Sequence, residues 1–193
     1  MRELLRKMRD READILLGTQ SVVKGLDLPG VPLAVVMVAD IGLSLPHFRA
    51  GERVFQLLTQ LTGRSGRATD GEVIIQTFRP DAPEIVAAAK HDTEKYLENE
   101  LKIRLYSGYP PATRIVRLIM RGDKAEMMAK KLHGQCTVAA HTITSDVKIS
   151  VSPTLFGGGK VWHILLRGSD PIALLKELDL RDAVVDVDAM ETI

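Results

Sequence analysis

The apolar positions of this chain follow two periods, and the pattern changes near the middle. Leu4, Leu5 and Met8 share one face of a short helix whose other face carries Arg and Lys. Ile15-Leu16-Leu17 reads as a short buried strand ending at Gly18. Leu33 to Ala39 reads as a second, valine-rich strand ending at Asp40. From Arg49 to Leu61, Val54, Leu57, Leu58 and Leu61 recur at helical spacing, and Glu72 to Phe78 is a third strand opened by the turn pair Asp70-Gly71. Helices alternating with wholly apolar strands predict a parallel α/β sheet covered on both faces. Polar runs then fall beyond strand ends or at loop-to-helix junctions, where such sheets bind ligands.

Asp81-Ala82-Pro83-Glu84 predicts a helix start, with Asp as cap, Pro in the first turn and Glu at the capping-box position. A break is expected around Asp92. Leu97, Leu101 and Leu105 then align at i, i+4 spacing, until Gly108-Tyr109-Pro110-Pro111 stops the helix. Beyond this boundary come a strand (Thr113 to Met120), a long helix (Lys124 to Thr142) and two strands (Val147 to Leu155, Lys160 to Leu166) joined through Phe156-Gly157-Gly158-Gly159. A short helix (Pro171 to Leu178) and a last strand (Ala183 to Val187) follow. The order βαββαβ is the ferredoxin-like α+β arrangement, which hosts many functions and names none by itself. The predicted division is 1–80, a helical linker at 81–108, and a terminal domain at 109–193.

Composition narrows the classes. The 193 residues are 45% hydrophobic and 26% charged with a net charge of +1, an ordinary globular balance in which any basic surface must be local. No run of eighteen apolar residues occurs, and the charged, amphipathic opening lacks a signal-peptide core. Cys136 is the only cysteine, which excludes an intrachain disulfide and a cysteine-cluster zinc site and makes the cytoplasm the default compartment. His47, His91, His133, His141 and His163 show no metal-ligand spacing, and no serine sits in a nucleophile elbow.

Two glycine-punctuated polar runs carry the chemistry. The first is Gly18-Thr19-Gln20 followed by Lys24-Gly25-Leu26-Asp27-Leu28-Pro29. The second is Gln60-Leu61-Thr62-Gly63-Arg64-Ser65-Gly66-Arg67, where two guanidiniums stand three residues apart around a glycine. Arg suits a triphosphate because it is always charged, planar and able to donate in a fork.

These runs resemble motifs V and VI of superfamily 2 nucleic-acid motors. The stretch from Ala13 to Phe78 further resembles the PriA-type replication-restart helicases, through Ile15 to Gln20, Lys24-Gly25, Pro29, Phe48-Arg49-Ala50, Glu52-Arg53, Gln56-Leu57, Thr59-Gln60, Gly63-Arg64, Gly66-Arg67 and Gly71-Glu72-Val73. Ala87 to Asp92, Gly108 to Pro111 and Val185-Asp186-Val187-Asp188 extend the likeness to the end of the chain.

The resemblance implies that 1–80 is the later part of a RecA-like helicase lobe 2 within an ATP-dependent 3′→5′ DNA helicase of the primosome. Arg64 and Arg67 would be its catalytic arginines, reaching the γ-phosphate of ATP. Gln60, Gly25 and Asp27 would lie against the nucleotide, and Thr19, Gln20 and Lys24 against DNA phosphates. It also implies ATP and Mg²⁺, a zinc site with ligands outside these residues, and a bacterial, nucleoid-associated cytoplasmic setting. The implied partners are single-stranded or forked DNA, primosome proteins and single-stranded-DNA-binding protein, with no membrane.

A motor of this type also needs a Walker A loop and an acidic metal-binding motif. The only Gly-Lys pair, Gly159-Lys160, is followed by Val161, and no Asp-Glu dipeptide occurs. The expectation is therefore a C-terminal piece of the motor. The rival reading is a motor-less adaptor of the same fold that binds DNA or protein. In the terminal domain, strand alternation favours core packing over base stacking for Trp162, and Lys124, Lys130 and Lys131 read as a solvated helix face.

Overall fold

The computed structural model describes residues 2–20, 31–65, 71–143, 146–155 and 157–190. The chain is α/β and divides into two compact units, Met1–Asn99 and Glu100–Ile193.

In the first unit, helix α1 (Arg2–Arg9) ends where Arg11 turns to a φ of 56°. Arg6 there bridges Asp10 and Glu12, each at 2.9 Å. The expected strand at Ile15-Leu16-Leu17 does not form. The segment is irregular, with Ile15 77% and Leu17 86% exposed. Three apolar residues become a strand only when a neighbour satisfies their backbone groups, and none is described beside them. Two parallel strands therefore stand among the described residues, β1 (Leu33–Val36) and β2 (Glu72–Ile75), paired Leu33 to Glu72 through Val36 to Ile75.

The crossover between them holds a short α2 (Asp40–Leu43) and the sixteen-residue α3 (Ala50–Ser65). Val54, Phe55 and Leu58 on α3 are buried against Ala39 and against Ile85 and Ala88 of α4 (Pro83–Ala89). Asp81 is not the cap of α4. Ala82 occupies that position without a side-chain bond, and Pro83 opens the helix with a preset φ. The break near Asp92 is present: His91 has a φ of 54°, and Asp92 Oδ1 accepts the Lys95 N–H at 3.0 Å to cap α5 (Thr93–Ser107). Tyr96 enters the first unit's core, its ring stacked on Phe55 at 4.0 Å. Leu97, Leu101 and Leu105 do share a stripe of α5, but they remain exposed.

The second unit is a four-stranded antiparallel sheet of β3 (Arg114–Arg121), β4 (Lys148–Pro153), β5 (Val161–Gly168) and β6 (Val184–Val187), in the order β4-β5-β3-β6. Strand alternation puts Val116, Leu118 and Met120 of β3, and Ile164 and Leu166 of β5, into one core. Helix α6 (Ala125–Ile143) meets them with Ala125, Ala129, Leu132, Cys136, Ala139 and Ala140, a stripe at three- and four-residue spacing. Small side chains let this helix lie close to the sheet. The segment before β6 is a 3-10 helix, Ala173–Glu177, which buries Leu174 in the same core. Truncating Leu118, fully buried at the sheet centre, to Ala would cost about 2–5 kcal/mol.

Candidate nucleotide and nucleic-acid site

The β1–α2–α3–β2 crossover carries the second polar motif. Beyond β1 the ladder continues, with the Ala39 N–H donating to the Gln76 carbonyl at 3.1 Å and the Gln76 N–H to the Val36 carbonyl at 2.9 Å. The start of α3 is then locked by polar contacts. His47 Nδ1 accepts the Arg49 N–H at 2.9 Å, and the Arg49 guanidinium forks onto Glu52 at 2.9 and 2.6 Å. Gln56 Nε2 also donates to Glu52, at 3.1 Å. Gly51 passes so close to α4 that a Cβ there would lie 2.6 Å from Glu84 Oε1. Arg49, Glu52 and Gln56 belong to the stretches that carry the resemblance, yet sequence reasoning gave them no role. The i, i+3 spacing of Arg49 and Glu52 was the available signal.

So anchored, α3 runs further than the predicted end at Leu61. It continues through Gly63 and Arg64 to Ser65, so the first half of the arginine motif is helical rather than loop. Gln60 is exposed on this helix, and the backbone of Arg64 lies one turn later, in the last turn. Thr19 and Gln20 are exposed. Lys24, Gly25, Asp27 and Arg67, and the side chain of Arg64, lie outside the described residues.

In the second unit several of the positive side chains are paired with carboxylates. Lys160 pairs with Asp123 at 2.8 Å, Lys130 with Glu126 at 2.5 Å, and Arg114 with Asp188 at 2.6 Å. Trp162 packs against the core, and its indole N–H donates to the Gly159 carbonyl at 3.1 Å, in a turn where Gly158 and Gly159 take φ of 55° and 77°.

On the sheet face away from α6, His163 Nε2 and Ser152 Oγ lie 3.0 Å apart, and Arg117 bridges Asp186 at 3.0 Å. Burial, helped by the nearby Arg117 charge, lowers the His163 pKa. Sequence reading did not single out this group. Cys136 is an inert core thiol, pushed up to about 11 by burial. Among the described residues no group of three His, Cys, Asp or Glu side chains gathers to hold a metal, and no helix is long and apolar enough to cross a membrane.

Fold and motif together define a two-unit α/β protein in which a parallel β-α-β crossover presents a glutamine–arginine motif and an antiparallel sheet follows. The chain belongs to the PriA-type family of replication restart proteins. It is 40% identical over 152 residues to replication restart protein PriA of Chlamydia trachomatis, covering 78% of this chain and 20% of that protein. Against the PriA of Bacillus subtilis it is 46% identical over 134 residues, covering 67% of this chain and 17% of the relative. Against that of Synechocystis sp. it is 36% identical over 149 residues, covering 77% and 18%. The chain thus spans about a fifth of the length of the curated relatives it matches. No protein-family model matches it.

Proposed function

We propose that this chain serves replication restart as the C-terminal part of an ATP-dependent 3′→5′ DNA helicase, supplying arginine fingers and contacts to the DNA backbone. The observation that carries this reading is 36–46% identity to PriA proteins across most of the chain. In this reading the β1–α2–α3–β2 crossover is the later part of a RecA-like lobe. The second unit's strands, in the order second, third, first, fourth, form a ferredoxin-like domain.

The proposed chemistry is electrostatic. Arg64 and Arg67 reach the γ-phosphate of an ATP held by the other motor lobe and stabilise charge on the transferring phosphoryl group. Gln60, with Gly25 and Asp27, lies against the nucleotide and couples its state to lobe closure. Thr19, Gln20 and Lys24 grip DNA phosphates without reading sequence, as translocation requires. ATP and Mg²⁺ are the proposed cofactors of the complete protein, with zinc held by ligands outside these residues, and the role proposed for this chain is arginine and phosphate chemistry. Single-stranded or forked DNA, primosome proteins and single-stranded-DNA-binding protein are its proposed partners, in the bacterial cytoplasm.

The test is DNA-dependent ATP hydrolysis by the complete protein. Arg67→Ala should lower kcat by about 10³–10⁵ while changing ATP affinity less. Arg67→Lys should fail as well, because an ammonium cannot reproduce the planar fork. Near-normal turnover by Arg67→Lys would remove this residue from the γ-phosphate.

A further inference from the structure

A cavity of about 220 Å³ opens in the second unit, between the end of β5, the start of β4 and the turn that precedes β3. Its walls are apolar: Ile115, Ile149 and Leu165, with the ring of Tyr109. Three polar groups join them, from Lys148, Ser150 and Arg167.

Lys148 and Arg167 stand directly opposite each other in the β4–β5 ladder. Like charges in that relation repel, so the pairing disfavours the sheet unless a negative group sits between them. No carboxylate pairs with either cation among the described residues. Asp146, two positions before Lys148, is engaged by the Ser169 N–H at 2.7 Å. The Ser150 hydroxyl has no hydrogen-bond partner among the described residues. Arg167 is held in place, its Cζ 4.1 Å from the centre of the Tyr109 ring. A guanidinium stacked in this way keeps its edge N–H groups available for an oxyanion.

We infer that this cavity binds a small molecule carrying one phosphate or carboxylate on an apolar body no larger than a single ring. The oxyanion sits between Lys148 and Arg167 with the Ser150 hydroxyl donating to it, and the body lies against Ile115, Ile149, Leu165 and Tyr109. Size sets the limit, because pockets for drug-sized ligands span about 300–1,000 Å³. The site is independent of the helicase reading.

The experiment titrates the full, ¹⁵N-labelled chain with phenyl phosphate, benzoate, inorganic phosphate and phenol at low salt. Amide shifts are followed at 148–150 and 165–168. A saturable response to phenyl phosphate or to benzoate is expected, the stronger of the two identifying the headgroup. Phenol and inorganic phosphate should bind at least about tenfold more weakly, since each lacks one half of the recognition. Arg167→Gln and Lys148→Gln should each weaken binding about tenfold or more. Lys148 is exposed, so its variant keeps the test readable if Arg167→Gln perturbs the fold. The inference fails if neither ringed anion saturates, if inorganic phosphate binds equally well, or if both variants bind like the parent. It fails too if a short single-stranded oligonucleotide displaces the ligand at micromolar concentration, which would make this a backbone-phosphate contact.

Discussion

Asp40, the first residue of α2 after β1, accepts the Thr77 hydroxyl at 3.1 Å, and its other carboxylate oxygen accepts the Phe78 N–H at 3.1 Å. One half-buried carboxylate thus ties together the exits of both parallel strands. Asp40→Ala would remove both hydrogen bonds, and should lower stability by about 0.5–1.5 kcal/mol. Asp40→Asn, which keeps an acceptor, should cost less. Urea unfolding followed by far-ultraviolet circular dichroism checks both, and an unchanged midpoint for Asp40→Ala would show that the clamp contributes nothing.

His163 makes the second unit acid-sensitive. It is buried beside Arg117, and both effects lower its pKa below the ordinary 6.5. The unfolded chain therefore takes up a proton on this residue at a higher pH than the folded one does. Its contribution is fully present above about pH 6.5 and is lost as pH falls toward the lower, folded value. Trp162, the only tryptophan, packs on the same unit's core and reports its unfolding. His163→Gln should flatten the loss of stability below pH 6.5, and a parent chain whose midpoint holds steady from pH 7 to 5 would contradict this.

Residues 1–193 alone are expected to hydrolyse no ATP, with or without DNA. An arginine fork acts only on a triphosphate held and charge-neutralised by other groups, and no Walker A sequence lies within these residues. Phosphate release stimulated by DNA, from a preparation free of contaminating ATPases, would overturn this.

The two-stranded sheet leaves Leu33, Val35 and Ile74 exposed. An apolar face beside parallel strands that pair only with each other among the described residues invites association. Sedimentation should show a size that rises with concentration for the whole chain, and a double change, Val35→Lys with Ile74→Lys, should suppress it. Residues 109–193 should stay monomeric and unfold in one transition. A whole chain that remains monomeric at high concentration would show that this face is not adhesive.

Much of the fold was legible in the chain. Strand alternation from Arg114 to Arg121 and the helical stripe from Ala125 to Ala140 bury the residues that their periods predict, because a long segment with one wet face has one way to lie. The αα break at Asp92 was readable for a similar reason, since a cap acts on its own helix. The arginine motif was legible as chemistry, but its helical half was not, because the apolar spacing that marks α3 stops at Leu61 while the helix backbone runs on to Ser65. Ile15 to Leu17 and the stripe Leu97, Leu101, Leu105 were misleading in another way. Their apolarity is real, but burial depends on what lies opposite, which no local pattern records.

The amino-acid sequence by itself determined the period of each long element, the glutamine–arginine motif and the family. All of these reside in residue types at short spacing. Only the tertiary structure decided which side chains meet. The pairing of Ser152 with His163 and the facing of Lys148 and Arg167 both follow from one β4–β5 register. The tie from Asp40 to Thr77 and Phe78 joins residues far apart in the chain. A slip of β4 by one residue in the β4–β5 register would send the Lys148 and Ser152 side chains to the other face of the sheet. Register is set jointly by the core beneath and the turns at either end, so these contacts belong to the folded chain as a whole.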